Sequence, residues 1–144
     1  QPRSRGLGDV YKRQCLFISG SRVPSIPEPN PIYHLPDEEF KRELGRFEGT
    51  PKEVLENQEL LDFFLPMLRA DFTMDETYYD KAGIVLHTPI AAFGGEKDGE
   101  ADESAILEWG KYTDNDFNYR IFPGGHFYLR DCEDEVISEV MRLL

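Results

Sequence analysis

The segment Thr88-Pro-Ile-Ala-Ala-Phe-Gly-Gly95 has the pattern of a buried β-strand that stops at a pair of glycines. Its apolar residues follow one another without alternation, which is typical of a strand covered on both faces, as in a parallel sheet. A second apolar run, Ile84-Val-Leu86, precedes it, and we expect the two runs to form one continuous strand. A polar loop from Glu96 to Asp102 follows, at the end of the strand where parallel sheets carry their functional side chains.

Strands and helices alternate on either side of this segment. Cys15-Leu-Phe-Ile-Ser19 is a short apolar run closed by Gly20, and Asn118-Tyr-Arg-Ile-Phe122 alternates in polarity until a proline and two glycines stop it. Helical spacing of apolar residues appears at 106–109 and again at 133–144. The order strand, helical insert, strand, helix, strand, helix predicts an α/β fold with a parallel sheet.

The helical insert covers about residues 31–80. Residues 37–47 carry an apolar stripe at helical spacing. Thr50-Pro-Lys-Glu53 matches a capping box with proline at the first helical position, which predicts the start of a second helix. Asn57 is expected to cap a third helix, and Pro66 is expected to kink or divide it.

Composition limits the classes of partner. The 144 residues suit one domain, and 40% of them are hydrophobic, as in ordinary globular proteins. A net charge of −12 disfavours nucleic acid and anionic membrane surfaces, which both need clustered Lys and Arg. No apolar run approaches the ~18–20 residues of a membrane helix. Cys15 and Cys132 fit neither a disulfide framework nor a metal-ligand spacing, so we expect free thiols in a cytoplasmic protein.

The first fourteen residues differ in character from the rest. They hold four basic residues and one acid, whereas the remainder is strongly acidic. Gly6-Leu-Gly-Asp-Val-Tyr-Lys-Arg-Gln14 lacks helical or strand periodicity and is similar to translated library-adapter sequence. We therefore expect residues 1–14 to be a non-native tail and residues 15–144 to be the C-terminal part of one domain. A genuine flexible basic arm is the alternative.

Two side chains at predicted strand ends suit acid–base chemistry. Asp98 lies in the loop after Phe93, and His126 follows the next strand behind two glycines. Because loops at the carboxyl ends of neighbouring parallel strands lie side by side, the carboxylate can reach the imidazole. Such a pair is the Asp–His half of a nucleophile triad, and acid before histidine is the α/β-hydrolase order. Glu96 and Asp102 are competing acids in the same loop.

Six short motifs occur along the chain in a characteristic order. They are Leu16-Phe-Ile-Ser-Gly-Ser-Arg-Val-Pro24, Leu35-Pro-Asp-Glu-Glu-Phe40, Gly49-Thr-Pro51, Leu65-Pro-Met-Leu-Arg-Ala-Asp-Phe72, Pro89-Ile-Ala-Ala-Phe-Gly-Gly-Glu-Lys-Asp98 and Pro123-Gly-Gly-His-Phe-Tyr-Leu129. Together with Trp109, these motifs resemble the type II thioesterases, the discrete editing enzymes of nonribosomal-peptide and polyketide synthesis. The resemblance covers roughly residues 15–144.

The resemblance implies the C-terminal part of an α/β-hydrolase with a helical lid at about residues 31–80. It places Asp98 on the family's catalytic acid and His126 on its catalytic base, ahead of Glu96 and Asp102. It also implies a monomeric enzyme that needs no metal and no dissociable cofactor. The implied reaction is hydrolysis of misprimed acyl or aminoacyl thioesters from the phosphopantetheine of acyl or peptidyl carrier proteins.

The sequence departs from this family at the nucleophile, a serine in a Gly-x-Ser-x-Gly elbow. That pattern surrounds none of the serines present, which are Ser4, Ser19, Ser21, Ser25, Ser104 and Ser138. Cys15 begins a predicted strand and is therefore not a substitute. The elbow, the oxyanion hole and the N-terminal strands are expected upstream, so the chain as given is predicted to be inactive.

Two other functions are compatible with the same residues. One is a related serine hydrolase that acts on acyl-CoA or small esters. The other is a remnant that binds carrier proteins without catalysis. His34 and His87 lack partners at metal-ligand spacing, and we expect both to be structural or surface residues.

Overall fold

The structure, a computed structural model, describes residues 15–47 and 49–144. It divides into two compact units. Residues 15–23 and 83–144 form the sheet unit, and Pro24–Ala82 form the helical unit. The tail predicted at residues 1–14 lies outside the described residues.

Strands and helices alternate in the described residues as the sequence predicts. In chain order they are β1 (Leu16–Ser19), α1 (Asp37–Leu44), α2 (Lys52–Leu55), α3 (Gln58–Thr77), β2 (Ile90–Gly95), α4 (Glu103–Leu107), the 3₁₀-helix Glu108–Tyr112, β3 (Phe117–Phe122), α5 (Tyr128–Asp131) and α6 (Glu133–Leu143). None of the described helices is long and apolar enough to cross a membrane.

The three strands form a parallel sheet in the order β1-β2-β3. Ile90 pairs with Leu16 on one side and with Phe117 on the other, which places β2 in the centre. All residues of β2 are buried, as its unbroken apolar pattern predicts. The prediction of an α/β fold with a parallel sheet is confirmed.

The expected start of the central strand is wrong. Ile84 and Val85 are exposed, and Leu86 makes only an isolated parallel bridge with Thr113. Pro89 lacks an N–H to donate to a ladder, although its carbonyl oxygen accepts a bond of 2.8 Å from the Leu16 N–H. The strand therefore begins at Ile90.

The side chains of β2 divide between two cores on opposite faces of the sheet. Ile90 and Ala92 pack with residues of the α4 side, whereas Ala91 and Phe93 pack with residues of the α5–α6 side. Each face is therefore closed by the helices that follow β2 and β3, which leaves the carboxyl ends of the strands to the loops.

The helical unit has a core of its own, made by Ile32, Phe40, Leu44, Leu61 and Leu65. Helix α3 holds the preceding connector by two side chains. The Arg69 guanidinium donates to the carbonyl oxygens of Tyr33 and Leu35, at 2.5 and 2.8 Å. The Glu76 carboxylate accepts from the N–H groups of Ile32 and Tyr33, the shortest bond being 2.7 Å. Two carbonyl and two amide groups of the connector are thereby satisfied.

Local signals in this unit gave mixed results. Asn57 caps α3 as predicted, since its side chain accepts a bond of 3.2 Å from the Leu60 N–H. The capping box is wrong, because Pro51 occupies the N-cap of α2 and no side chain caps that helix. Pro66 lies inside an α3 that continues for 20 residues, so it does not divide the helix.

Helix α6 is attached to the edge strand β3 by one buried carboxylate. Glu139 is 8% exposed and accepts a bond of 2.9 Å from Arg120 on β3. Its other charged partner is Arg142, one turn along α6, which bonds both carboxylate oxygens. The bond from Arg142, followed by that from Arg120, lowers the pKa of Glu139.

Replacing Glu139 by Gln is expected to lower the free energy of unfolding at pH 7 by about 1 kcal/mol, since both guanidinium partners are partly exposed. A carboxyl with a lowered folded-state pKa stabilises the fold above its unfolded pKa of about 4.3. That contribution is lost as the pH falls through the folded-state value. Urea unfolding from pH 7 to pH 3 should therefore show the Glu139→Gln difference shrinking at the acid end. A difference that is constant with pH, or equal to that of the exposed control Glu135→Gln, contradicts the assignment.

Candidate active site

The carboxyl ends of the neighbouring strands β2 and β3 bring Asp98 and His126 together. Asp98 lies three residues after β2, and His126 lies four residues after β3. The Nδ1 of His126 is 3.0 Å from the Oδ2 of Asp98, which is a hydrogen bond. The two residues that the sequence singled out are thus direct partners in the structure.

The Asp98 carboxylate is held from both oxygens. Its side chain is inaccessible to solvent. While Oδ2 faces His126, Oδ1 accepts bonds from the N–H groups of Glu100 and Ala101, at 2.8 and 3.1 Å. With three donors around it, the carboxylate has one orientation, and this fixes the direction in which it meets the imidazole.

Close backbone contact joins the acid loop to the histidine loop. The Lys97 N–H donates to the Gly124 carbonyl oxygen at 2.8 Å. A Cβ added to Gly95 would lie 2.1 Å from the Gly125 carbonyl oxygen, so that position requires glycine. Gly124 has φ +118°, a conformation that also favours glycine. The glycines before each loop therefore allow the loops to touch.

The imidazole of His126 has one nitrogen engaged and one available. Its side chain is 36% exposed, and no described residue forms a hydrogen bond with Nε2. When Nδ1 carries the proton that Asp98 accepts, Nε2 presents a lone pair. The arrangement can therefore take a proton at Nε2 while Asp98 stabilises the resulting imidazolium.

The competing acids lie elsewhere. Glu96 is exposed, and Asp102 is the N-cap of α4. The Asp102 side chain accepts bonds from Ser104 Oγ at 2.6 Å and from the Ala105 N–H at 2.9 Å, and these bonds lower its pKa. The structure brings neither of them to His126.

Gly20 borders the pair, and a bond joins its neighbour Ser19 to Tyr128, two residues after His126; none of the three was assigned a part in the site from the sequence. Gly20 lies against both members, since a Cβ there would be 3.3 Å from His126 Cε1 and 3.6 Å from Asp98 Oδ2. Tyr128 is fully buried, and its hydroxyl is 2.7 Å from Ser19 Oγ. Tyr128 lies in the histidine motif, but a bond across 109 positions has no signal in a single sequence.

The other two histidines have partners of their own. His87 is exposed and its Nδ1 is 2.7 Å from Oδ2 of the partly exposed Asp114, while His34 contacts the Tyr33 ring edge to face. Among the described residues, no group of three His, Cys, Asp or Glu side chains is arranged to hold a metal ion. His87 and Asp114 form an exposed counterpart of the Asp98–His126 pair, whose carboxylate is buried.

An Asp–His pair at the carboxyl edge of a parallel sheet, with the acid before the histidine, matches the arrangement of the α/β-hydrolases. The family model for the thioesterase domain matches residues 11–144. This chain belongs to the thioesterase domain family, which confirms the resemblance seen in its motifs.

Its relatives include proteins of peptide and polyketide biosynthesis. The chain is 38% identical over 130 residues to gramicidin S biosynthesis protein GrsT of Aneurinibacillus migulanus, covering 90% of this chain and 51% of that protein. It is 35% identical over 125 residues to thioesterase PikA5 of Streptomyces venezuelae, covering 87% and 44%. YbtT, a type II thioesterase from the yersiniabactin NRPS/PKS pathway, has a similar solved structure, with TM-score 0.81, 31% identity and coverage of 90% and 53%. The chain spans about half the length of the curated relatives it matches.

Proposed function

We propose that this chain is the acid–base half of a type II thioesterase of nonribosomal-peptide or polyketide synthesis. The observation that carries the proposal is the hydrogen bond between the buried Asp98 carboxylate and the accessible His126 imidazole. The names of the similar proteins support the pathway class, since YbtT is described as a type II thioesterase of an NRPS/PKS pathway and GrsT as a protein of gramicidin S biosynthesis.

In this proposal a serine outside the 144 residues completes a Ser-His-Asp triad. His126 Nε2 accepts the hydroxyl proton as the serine oxygen attacks the thioester carbonyl. The C–S bond then breaks, and the thiol leaves with that proton. Water attacks the acyl-serine ester and gives a proton to Nε2, which returns it to the serine oxygen as the acid is released. Asp98 holds the tautomer and stabilises the imidazolium at each transfer.

The proposed substrate is an acyl or aminoacyl group on the phosphopantetheine of a carrier protein. The helical unit is proposed to be the lid that shapes the acyl pocket and meets the carrier. Its α3 supports this, since Leu60, Phe63, Met67 and Met74 are exposed apolar residues at helical spacing, and the exposed Tyr78 follows directly after the helix. Such a surface suits contact with an apolar chain or with a partner.

The nucleophile is the first element to test. We expect the 144-residue chain to resist labelling by a fluorophosphonate probe, which reacts with activated serines. The source nucleic acid is sequenced upstream of Cys15, and the extended polypeptide is expressed. The proposal requires a Gly-x-Ser-x-Gly elbow in that extension and labelling of its serine. An open frame without such a serine removes the catalytic proposal and leaves the carrier-binding remnant.

Substrate class is tested on the extended polypeptide. Matched acyl groups are presented on a phosphopantetheinyl carrier protein and on coenzyme A. We expect kcat/KM to be higher for the carrier by about tenfold or more, as a protein contact of ~1.4 kcal/mol would give. Equal or higher kcat/KM with acyl-CoA favours the related serine hydrolase and contradicts the editing function.

A further inference from the structure

We propose that Ser19 and Tyr128 are positioning residues for the Asp98–His126 hydrogen bond, acting through the bond between their two hydroxyl groups. The catalytic role of the two residues rests on the proposed function. The contacts that support the inference all lie within the sheet unit.

The burial and packing of Tyr128 hold the bond between the Ser19 and Tyr128 hydroxyl groups in place. Tyr128 is fully buried, and its ring stacks on that of Phe122 with 5.3 Å between centroids and 6° between planes. Burial raises the pKa of the Tyr128 phenol more than the bond with Ser19 lowers it, and the negative charge of Asp98 adds to the rise. The phenol is therefore neutral at physiological pH and remains a hydrogen-bonding partner 2.7 Å from Ser19 Oγ.

Ser19 connects this bond to the catalytic pair through its neighbour in the chain. Gly20 has φ +55° and packs directly against the imidazole and the carboxylate, as its virtual Cβ contacts of 3.3 and 3.6 Å show. The bond between Ser19 and Tyr128 sets the distance between the end of β1 and the loop that carries His126. Fixing that distance keeps the Gly20 backbone against the face of the pair.

The residues that follow Gly20 are bonded to the loop that carries Asp98 and to the 3₁₀-helix beyond it. The Trp109 Nε1 donates to the Ser21 carbonyl oxygen at 2.7 Å. The Arg22 guanidinium donates to the Glu100 carbonyl oxygen at 3.0 Å, and the Glu100 N–H in turn donates to Asp98. The histidine loop is itself joined to the acid loop by the Lys97–Gly124 backbone bond. Loss of the hydroxyl bond therefore removes one of the restraints that hold His126 against Asp98.

The experiment observes the Asp98–His126 bond directly, with no substrate. In protein labelled with ¹⁵N-histidine, the Nδ1 proton gives a low-field resonance whose exchange rate with water reports how often the bond opens. The signal of His126 is distinguished from that of the exposed His87 by the variants His126→Gln and His87→Gln. Exchange is then measured in Tyr128→Phe, in Ser19→Ala and in the double variant, with thermal unfolding of each recorded separately.

We expect exchange to accelerate about fivefold in each single variant, as loss of one hydrogen bond of ~1 kcal/mol predicts. The double variant should be no faster than either single one, because all three remove the same bond. Tyr119→Phe, which removes a hydroxyl from β3 on the same unit, should leave the rate unchanged. If Tyr128→Phe fails to fold, Ser19→Ala still tests the proposal, because Ser19 is exposed and its substitution should leave the fold intact.

Unchanged exchange in Ser19→Ala overturns the proposal, whatever the effect on thermal stability. Effects that multiply in the double variant also overturn it, because the two hydroxyls would then act separately. A failure of the thioesterase proposal leaves this measurement intact, since the resonance does not depend on a nucleophile or on turnover.

Discussion

Asp98→Asn is expected to lower kcat/KM of the extended polypeptide by about ten-thousandfold, the loss typical of a triad acid changed to its amide. The geometry explains why the loss should be near complete. The asparagine oxygen must face the two N–H donors of Glu100 and Ala101, because an amide NH₂ there would meet donors. Its NH₂ group then faces His126 Nδ1, which has to become the acceptor. The proton moves to Nε2, and the imidazole can no longer act as the base.

A matched control is available in the exposed pair. Asp114 bonds the Nδ1 of His87 at 2.7 Å, so Asp114→Asn makes the same chemical change at a surface Asp–His pair. We expect hydrolysis of an acyl thioester by that variant to match the unmodified enzyme. Activity of Asp98→Asn within tenfold of the control would show that Asp98 is not the triad acid. Urea unfolding of both variants establishes that the comparison is made between folded proteins.

The sequence predicts those parts of the site that are set by residues close together in the chain. The proximity of Asp98 and His126 was predictable because each closely follows a recognisable strand, β2 by its unbroken apolar run and β3 by its alternating pattern, and parallel strands bring their carboxyl ends to one edge. The choice between Asp98 and Asp102 needed the family motif, because both are acids of one polar loop. In the structure Asp102 has a separate task, the cap of α4.

What the sequence could not predict was decided by contacts between distant segments or by competition between local signals. The partnership of Ser19 with Tyr128 and the packing of Gly20 on the pair involve residues far apart in the chain. Thr50 matched a capping box, but Pro51 took the cap position because its fixed φ and extended ψ suit it. Pro66 was expected to interrupt a helix that the surrounding core at Leu61 and Leu65 holds together.

Gly95→Ala is the substitution with the largest expected effect on stability. The added methyl would lie 2.1 Å from the Gly125 carbonyl oxygen and 2.9 Å from that of Gly124. Both are backbone atoms, so no side chain can turn away to relieve the contact. Gly95 also pairs with Phe122 in the sheet, which means that relief requires the ends of β2 and β3 to separate. We expect the free energy of unfolding to fall by more than about 3 kcal/mol, and the melting temperature by roughly 10 °C.

The same separation should break the site before it unfolds the domain, because Asp98 follows β2 by three residues and His126 follows β3 by four. The low-field Nδ1 proton of His126 should therefore be absent in Gly95→Ala at temperatures where circular dichroism still shows folded protein. Gly99→Ala is the matched control, since a Cβ at that loop position meets nothing within 4 Å. Equal melting temperatures for the two alanine variants would mean that the two loops are not in contact. If Gly95→Ala is stable and retains the Nδ1 proton, the contact between the two loops does not determine the geometry of the Asp98–His126 pair. The argument that this contact builds the acid–base site in advance would then be wrong.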